Sequence, residues 1–288
     1  MSAKLSARPL TTIVGAGNLA GALGVSLRGA GYRIDQIVSR GSAASLRRAR
    51  RLAREVGASA ATAARAQIRA EMVWFCVPDG AIAGAAASLM GAADWKGRVA
   101  LHSSGALTSD ELEVLRRRGA AVASVHPLMT FVRGSRPALV GVPFAIEGDP
   151  KAVRAARAVV QQLRGRAFTI RKQRKEAYHA WGMFASPLLT ALLAASERVA
   201  GGAGVSRKAA RERTLPILQQ TLDNYARLGA AGSFSGPIAR GDVATVRKHL
   251  QVLLEVPEAR EIYVALARAA LRDLPAKNRT VLEKILKA

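Results

Sequence analysis

The sequence lacks the features that define several protein classes. It has a single cysteine, Cys76, in 288 residues, so no disulfide can form within the chain and a cytoplasmic protein is expected. No apolar stretch reaches the roughly 18 uncharged residues that a spanning helix requires, and no apolar signal core precedes the first strand-like run, so no membrane partner is expected. Aromatic residues make up only 5% of the chain, yet 50% is hydrophobic, which excludes disorder. The length indicates two domains.

Acidic residues are also scarce. Lys and Arg number 44 against 20 Asp and Glu, for a net charge of +24, and 34 of the cations are arginine. Such a balance suggests nucleic acid as one possible partner. However, the charges are scattered, and the chain has no zinc-finger spacing, RNA-binding aromatic signature or basic-leucine pattern. Since alanine and glycine are also abundant, a genome that favours arginine explains the charge more simply, and a nucleic-acid partner is not expected. No metal site is expected either.

The pattern of apolar residues predicts two architectures in succession. Over residues 10–170, short β-type runs alternate with helix-type stretches, which predicts a Rossmann-like, doubly wound parallel sheet covered by helices. The predicted strands are Leu10–Val14, Ile34–Val38, Met72–Val77, Arg98–His102, Ala121–Val125, Pro143–Glu147 and Ala167–Ile170. Beyond residue 171 the β signal stops. We therefore predict an α/β nucleotide-binding domain over residues 1–170 and an all-helical domain over residues 171–288.

The helices are predicted in less detail. Between the strands, they are expected at Asn18–Gly29, Ala43–Val56, Asp79–Met90, Ser109–Arg117 and Lys151–Leu163, with Asp79 and Ser109 as N-caps. Residues 58–68 are too rich in alanine to assign. In the second domain, helices are expected at Lys175–Val199, kinked by Pro187, and at Arg207–Leu228, Asp242–Leu254 and Glu258–Leu271, with a loop over Gly229–Gly241.

A glycine-rich turn follows the first predicted strand. Its sequence, Gly15-Ala16-Gly17-Asn18-Leu19-Ala20, matches the dinucleotide fingerprint between a strand and a helix. Gly15 permits the tight turn, Gly17 lets the backbone approach a pyrophosphate, and Ala20 allows close packing of helix on strand. The helix N-terminus supplies N–H groups and a partial positive charge to the anion. We therefore predict that residues 15–19 bind a dinucleotide.

The end of the second strand favours NADP(H) over NAD. Asp35 lies at the sequence distance typical of the acid that binds the ribose of NAD, but it starts the strand instead of ending it. Ser39, Arg40 and Ser42 follow the end that faces a ligand, and an arginine there can bind the 2′-phosphate of NADP. Arg47 is a second possible contact, although a solvated surface arginine is the simpler interpretation.

Polar residues follow three further strands at the edge where ligands bind in such sheets. Val77 and Pro78 follow one strand and are predicted to line the cofactor site. His102, Ser103 and Ser104 follow the next, and His126 and Thr130 the one after. Each histidine alone could be structural, but two at one edge with hydroxyl groups beside them suggest a polar site.

Two features of the helical region also suggest chemistry. Lys175 and His179 are four residues apart and thus share a helix face, where they could act as general acid and substrate anchor. An exposed basic face is the alternative. Arg240 precedes a predicted helix capped by Asp242, a good position for binding a carboxylate or phosphate.

In chain order, the motifs GAGNLA, VPD, HSSG, SVHPLMTF, KEAYHAW and GPIARGD resemble those of a two-domain bacterial family. That family joins a Rossmann-like NADP-binding domain to a helical domain of unknown function. It is similar to pyrroline-5-carboxylate reductase, deazaflavin-dependent NADP reductase and the 6-phosphogluconate dehydrogenase-like enzymes, and the helical domain is expected to resemble the C-terminal domain of the last group. The resemblance implies dimerisation through the helical domain and a site in the cleft between domains.

Carried to single residues, the resemblance implies cofactor contacts at Gly15, Gly17, Asn18, Leu19 and Arg40. It implies substrate or nicotinamide contacts at His102, Ser104, His126, Lys175, His179 and Arg240. One position departs from the family pattern: where the family reads Ala-Ser-Asn, this chain reads Ala185-Ser186-Pro187. A side-chain amide that could orient a substrate is therefore missing.

These observations predict an NADP-dependent oxidoreductase that transfers hydride between NADP(H) and a small carbonyl or imine compound carrying an acidic group. His126, Lys175 and His179 are the predicted catalytic residues. His102 and Ser104 are assigned to the cofactor, and Ser103, Thr130 and Arg240 to the substrate. The alternative is an NADP-binding sensor or scaffold without turnover, which Pro187 and the lack of a recognisable acid–base dyad favour.

Overall fold

The computed structural model describes residues 8–287. Its chain divides into two compact units, the first ending at Gly182 and the second beginning at Met183. The predicted domain boundary at residues 170 and 171 lies twelve residues earlier.

The first unit is built on an eight-stranded sheet in the order β3-β2-β1-β4-β5-β6-β7-β8. Its strands are β1 Thr11–Val14, β2 Ile34–Ser39, β3 Ser59–Thr62, β4 Met72–Phe75, β5 Val99–His102, β6 Ala121–Pro127, β7 Pro143–Gly148 and β8 Arg166–Thr169. All neighbours pair in parallel except β6 and β7, which are antiparallel. The predicted doubly wound parallel sheet is therefore confirmed, except that the antiparallel pairing of β6 with β7 was not predicted.

Helices pack on both faces of this sheet. They are α1 Asn18–Gly29, α2 Ala43–Val56, α3 Ile82–Ser88, α4 Glu113–Arg116 and α5 Pro150–Gln162. A sixth helix, α6 Lys175–Ala185, follows β8 and ends just past the unit boundary. Successive strand residues supply opposite faces, as the pleat requires. On β4, Trp74 belongs to the core beneath α1, α2 and α5, whereas Val73 and Phe75 belong to the core beneath α3 and α4. Such two-sided burial explains why the strands read as continuous apolar runs.

The second unit is helical, as predicted. It contains α7 Pro187–Gly202, α8 Arg207–Ser233, α9 Pro237–Arg240, α10 Val243–Val252, α11 Pro257–Asp273 and α12 Arg279–Ile285. A small core joins α10, α11 and α12 through residues such as Leu250, Leu271 and Leu282. Among residues 8–287, no single helix is long and apolar enough to cross a membrane. One bent pair, residues 172–202 and 207–240, passes that test by length and composition.

Several local predictions are wrong. The helix predicted over Lys175–Val199 is two helices, because the backbone leaves helical geometry at Ser186 (φ −134°, ψ −76°) and Pro187 starts α7, where its missing N–H costs nothing. The loop predicted over Gly229–Gly241 is largely helical. At Gly229 (φ 70°, ψ 179°) the backbone of α8 leaves helical geometry and kinks, a short helical stretch then runs to Ser233, and α9 follows.

Two helix caps are also misplaced. Asp79 and Ser109 are the first residues of short 3₁₀ helices instead of caps, and the residues before them, Pro78 and Thr108, occupy the cap positions. The Thr108 side chain accepts from the Asp110 N–H. Both helical segments begin as a 3₁₀ turn, and this shifts the cap back by one residue. The unassigned segment 58–68 holds β3, and α12 was not predicted.

Candidate functional site

The glycine turn has the geometry of a phosphate-binding turn. Gly15 has φ +116°, and a Cβ atom there would lie 2.2 Å from the Cys76 carbonyl oxygen, so only glycine fits between β1 and β4. A Cβ at Gly17 would meet nothing within 4 Å, which leaves open space beside the turn. No side chain caps the N-terminus of α1, and its first turn holds no acidic residue. The turn therefore leaves its helix N-terminus free for an anion.

A cavity of about 460 Å³ opens from this turn. Seven of the residues predicted to bind the cofactor line it: Gly15, Ala16, Gly17, Ser39, Arg40, Val77 and Pro78. Cys76 also lines it, and burial raises the pKa of its thiol to about 12, so it is a neutral packing group. The cavity lies beyond the carboxyl ends of β1, β2 and β4, where a doubly wound sheet binds its ligands.

Two arginines line the cavity on the β2 side. Arg40 follows β2, as predicted, and Arg48 comes from α2, where its guanidinium donates to the Ser45 hydroxyl at 3.4 Å. Arg47, the possible second contact, is exposed and does not line the cavity. Ser42 caps α2 by accepting from the Ser45 N–H. The cavity therefore presents two guanidinium groups where the sequence identified one.

Asp35 stands at the other end of β2. Its neighbour Ile34 pairs with Thr11, the first residue of β1, whereas Val38 pairs with Val14, beside the glycine turn. The Asp35 carboxylate is therefore remote from the cavity, and Asp35 is not among the lining residues. This geometry agrees with the choice of Arg40 over Asp35 as the ribose-side residue.

His102 is a neutral brace at the end of β5. Its side chain is fully buried, its Nδ1 accepts from the Ser104 N–H at 3.2 Å, and its Nε2 lies 2.9 Å from the Thr108 carbonyl oxygen. Because Nδ1 accepts a hydrogen bond, Nε2 carries the proton, and this N–H group donates a hydrogen bond to the Thr108 carbonyl oxygen. Burial lowers the pKa of His102 to about 4. Both ring nitrogens are thus engaged with the backbone and offer nothing to a ligand.

The residues after His102 form a tight turn. The Ser104 hydroxyl accepts from the N–H groups of Ala106 and Leu107, at 3.2 Å and 2.8 Å, while the Ser103 hydroxyl accepts from the Trp74 indole at 2.8 Å. Ser104 was predicted to bind the cofactor and Ser103 the substrate, and these internal hydrogen bonds were not predicted. Both hydroxyl groups are therefore used to stabilise the turn. The part of the turn that remains for a ligand is its backbone.

Lys175 reaches this turn from α6. Lys175 is 1% exposed, and its ammonium group donates to the carbonyl oxygens of Ser104, at 2.6 Å, and Gly105, at 3.3 Å. Burial lowers the pKa of Lys175 to about 8, and the nearby carboxylates of Glu147 and Asp79 oppose that shift. Glu147 is itself buried and accepts from the N–H and hydroxyl of Ser109. Lys175 thus anchors the turn to α6.

Two more histidines meet beside Gly105. The rings of His126 and His179 stand edge to face with centroids 6.4 Å apart. A Cβ at Gly105 would lie 2.9 Å from His126 Nε2 and 2.7 Å from His179 Cδ2, so the glycine lets both rings approach the turn. On its other side, His126 Nδ1 lies 2.7 Å from the Tyr178 hydroxyl. The structure therefore brings His126, Lys175 and His179 together around one turn.

The segment after β6 contacts the glycine turn. Asn18 was predicted to bind the cofactor, yet its side-chain amide donates to the Phe131 carbonyl oxygen at 3.1 Å. Leu19 and Phe131 both pack against the sheet core. Thr130, a predicted substrate residue, is exposed beside them. Asn18 and Leu19 thus join α1 to this segment, and neither lines the cavity.

Arg240 belongs to the second unit. It is the exposed last residue of α9, and Gly241 follows with a left-handed φ of 70°. As predicted, Asp242 caps the next helix by accepting from the N–H and hydroxyl of Thr245. In the part of the chain from residue 8 to 287, no group of three or more acidic, histidine or cysteine side chains could hold a metal ion.

Sequence reasoning missed three residues of this region. Arg48 was passed over in favour of its neighbour Arg47, because helical phase alone does not fix which of two adjacent arginines faces a cavity. Tyr178 is part of the motif KEAYHAW, and Glu147 ends a predicted strand, but neither residue was assigned a role. A signal for Tyr178 existed: it lies three residues after Lys175 and thus on the same face of the helix.

Taken together, the sheet order and the glycine turn define a Rossmann-like fold. A family model described as "Rossmann-like domain" matches residues 2–127, and one described as "Domain of unknown function (DUF2520)" matches residues 142–270. The chain thus joins a Rossmann-like domain to a DUF2520 domain, and the predicted two-domain resemblance is confirmed. Among curated proteins, none matches the chain.

Solved structures share the fold over nearly the whole chain. A proposed NADP oxidoreductase from Bacteroides fragilis is 22% identical, covers 91% of this chain and 97% of its own, and has a TM-score of 0.75. Protein TM1727 from Thermotoga maritima is 25% identical over 96% and 99%, with a TM-score of 0.71. A reductive aminase from Aspergillus terreus, solved in complex with NADPH and ethyl-5-oxohexanoate, is 16% identical over 96% and 99%, with a TM-score of 0.64.

Proposed function

We propose that this chain is an NADP-dependent oxidoreductase acting on the C=O or C=N bond of a small compound. The observation that carries the proposal is the cavity of about 460 Å³ that joins an uncapped helix N-terminus to two arginines. This combination suits a ligand with a pyrophosphate and a second phosphate. The similarity of fold to NADP-related oxidoreductases agrees with it.

The residues of the cavity fit the cofactor. Gly15 and Gly17 allow the backbone to approach the pyrophosphate, and Arg40 and Arg48 would hold the 2′-phosphate. Val77 and Pro78 would pack against the nucleotide from the β4 side. When bound, NADPH supplies the hydride that reduces the carbonyl or imine carbon, while the substrate oxygen or nitrogen takes up a proton.

The chain itself must supply that proton and hold the substrate. His126, Lys175 and His179 surround the Ser104–Gly105 turn and are the candidate groups. Lys175 already donates to two carbonyl oxygens, so we assign it to holding the turn and its positive charge to the polarity of the site. His179 has no side-chain hydrogen bond to any residue of the described range 8–287, which leaves it able to hold a proton for a substrate.

The acidic group on the substrate remains a part of this proposal. An exposed guanidinium such as that of Arg240 suits a carboxylate, because it can donate two parallel hydrogen bonds. The contribution of Arg240 is measured by comparing the activity of the natural sequence and of Arg240→Ala on substrates with and without a carboxylate. A selective loss for the carboxylated compounds is expected.

A test of cofactor binding uses two neighbouring arginines. Titrations of NADPH and NADH, followed by nucleotide fluorescence, compare the natural sequence with Arg48→Ala and with the matched control Arg47→Ala. We expect Arg48→Ala to weaken NADPH by about tenfold or more, because a charge-assisted hydrogen bond contributes roughly 1.5–3 kcal/mol, and to leave NADH unchanged. Arg47→Ala should change neither. Failure to bind either nucleotide, or a preference for NADH, contradicts the proposal.

A sensor or scaffold without turnover is the second candidate. Two observations favour it: Pro187 breaks the helical region at Ser186, and His102 is committed to the backbone. NADPH oxidation with a panel of keto acids and cyclic imines separates the two candidates. Turnover supports the enzyme, whereas tight NADPH binding with no turnover across the panel supports the sensor.

We also propose a homodimer formed through the helical unit. Large apolar side chains on α8 are about half exposed or more, among them Leu215, Ile217, Leu222, Tyr225 and Leu228. Large apolar side chains exposed in such number are typical of an interface between protein subunits. A second copy of the chain would cover them.

A further inference from the structure

The buried Tyr178 forms a hydrogen-bonded pair with the partly buried His126. The Tyr178 hydroxyl lies 2.7 Å from His126 Nδ1, and the two rings meet edge to face with centroids 5.6 Å apart. The tyrosine ring is packed between Phe168 and Trp181, each 6.1 Å away between centroids. Its position is thus fixed by packing on two sides, and the hydroxyl is held against one nitrogen of the imidazole.

The hydrogen bond between Tyr178 and His126 has a preferred donor and acceptor. Within residues 8–287, the Tyr178 hydroxyl has no other hydrogen-bond partner, and the side chain is only 8% exposed. A buried O–H without an acceptor is costly, so the hydroxyl donates and His126 Nδ1 accepts. A neutral imidazole that accepts at Nδ1 carries its proton on Nε2.

The other nitrogen faces the turn. His126 Nε2 lies close to Gly105 and has no hydrogen-bond partner in the described chain from residue 8 to 287. His126 is partly exposed, so this nitrogen is available to a ligand. His179 stands beside it, and Lys175 holds the turn beneath it. An N–H group in this place can donate to a ligand atom.

The charges that face His126 keep its ring neutral. Lys175, His179 and His102 all oppose a positive charge on it, and Tyr178 offers a donor that only a neutral nitrogen can accept. Burial is the largest cause, and together these effects lower the pKa of His126 to about 4. At neutral pH, His126 therefore has no extra proton to give.

We propose that Tyr178 is a positioning residue that holds His126 as the neutral tautomer with its proton on Nε2. His126 then donates a hydrogen bond to the oxygen or nitrogen of a substrate beside Gly105, and a different group, His179, gives up the proton. This division of roles rests on the proposed oxidoreductase function. The state of the imidazole itself is a property of the protein without any ligand, so it can be tested separately.

Nitrogen NMR of the histidine side chains measures this state directly. The chain has four histidines, so protein labelled with ¹⁵N-histidine gives four imidazole patterns, and His126→Gln identifies the one from His126. In the natural sequence we expect Nε2 protonated and Nδ1 bare. In Tyr178→Phe we expect a mixture of tautomers and a pKa of His126 higher by about half a pH unit to one, because a hydrogen bond to the neutral form is lost.

The chain provides a matched control. Tyr263 pairs with His249 Nδ1 at 3.2 Å in the same edge-to-face manner, but in the second unit. Tyr263→Phe should change the pattern of His249 and leave that of His126 unaltered. A change at His126 in this control would show an indirect effect and would overturn the assignment to Tyr178.

Two further outcomes overturn the inference: a proton on Nδ1 of His126 in the natural sequence, or an unchanged tautomer in Tyr178→Phe. If that variant does not fold, the tautomer of the natural sequence alone decides. Failure of the proposed function looks different, because the expected tautomers would then be seen while NADPH fails to bind.

Discussion

Mild acid should destabilise the first unit through the fully buried His102 and the partly buried His126. Burial lowers the pKa of both His102 and His126 from 6.5 to about 4. In the unfolded chain each histidine takes up a proton near pH 6.5, but in the folded chain it does so only near pH 4. The unfolded state therefore binds more protons between these values, and stability is lost as the pH falls through this window.

The size of the loss follows from the two pKa values. Each pKa unit corresponds to about 1.4 kcal/mol, so each histidine contributes about 2 kcal/mol of lost stability by pH 5 and about 3 kcal/mol by pH 4. Together they lower the free energy of unfolding by about 4 kcal/mol between pH 7 and pH 5. Ion-paired carboxylates such as Asp110, whose pKa is lowered by hydrogen bonds from Lys172 and Arg116, contribute mainly below this range.

Urea unfolding followed by tryptophan fluorescence provides the assay. All three tryptophans, Trp74, Trp95 and Trp181, lie in the first unit, and the first two are fully buried, so the signal reports that unit. His102→Gln and His126→Gln should each reduce the difference in unfolding free energy between pH 7 and pH 5 by about 2 kcal/mol, and the double variant should nearly abolish it.

The control and the contrary result are equally definite. His249→Gln removes an exposed histidine of the second unit and should leave the fluorescence-detected difference unchanged. If both His102→Gln and His126→Gln keep the full pH dependence of the natural sequence, the histidines are not the groups that titrate, and the reasoning about their burial is wrong.

Two further predictions concern the turn and the assembly. Gly15→Ala should lower the free energy of unfolding by about 2 kcal/mol or more and abolish NADPH binding, because Gly15 has a positive φ and lies close to the Cys76 carbonyl. Gly17 has open space around it, so Gly17→Ala should leave the free energy of unfolding nearly unchanged in the same urea assay. Light scattering should give twice the 30.3 kDa chain mass, and Ile217→Glu with Leu222→Glu should halve it; a monomeric mass for the natural sequence contradicts the dimer.

Much of the first unit could be predicted because buried parallel strands have a simple sequence signature. Seven of its eight strands were located to within two residues at either end, since each is an apolar run bounded by polar or turn residues. The missed strand, Ser59–Thr62, has only alanines and hydroxyl residues at the sheet edge, so it carries no apolar signal. In the second unit, helix breaks at Ser186 and Gly229 depend on backbone geometry that periodicity does not reveal.

The site was harder to predict than the fold. Strand order brought His102 and His126 to one edge, and this was foreseeable from the parallel sheet. What the side chains do there was not. His102 turns both nitrogens to the backbone, and Lys175 is buried under the turn instead of facing solvent. These are consequences of the path of residues 103–108, for which the sequence offers no periodic pattern.

The close packing of Gly15 on Cys76 affects the order in which the protein can assemble during synthesis. The glycine turn occupies residues 15–20, yet it packs against the backbone that follows β4. In the sheet, β1 lies between β2 and β4. A nascent chain that has left the ribosome only as far as α2 has the whole fingerprint motif but not the surface against which it is shaped. The turn can acquire its native form only after Cys76 has emerged.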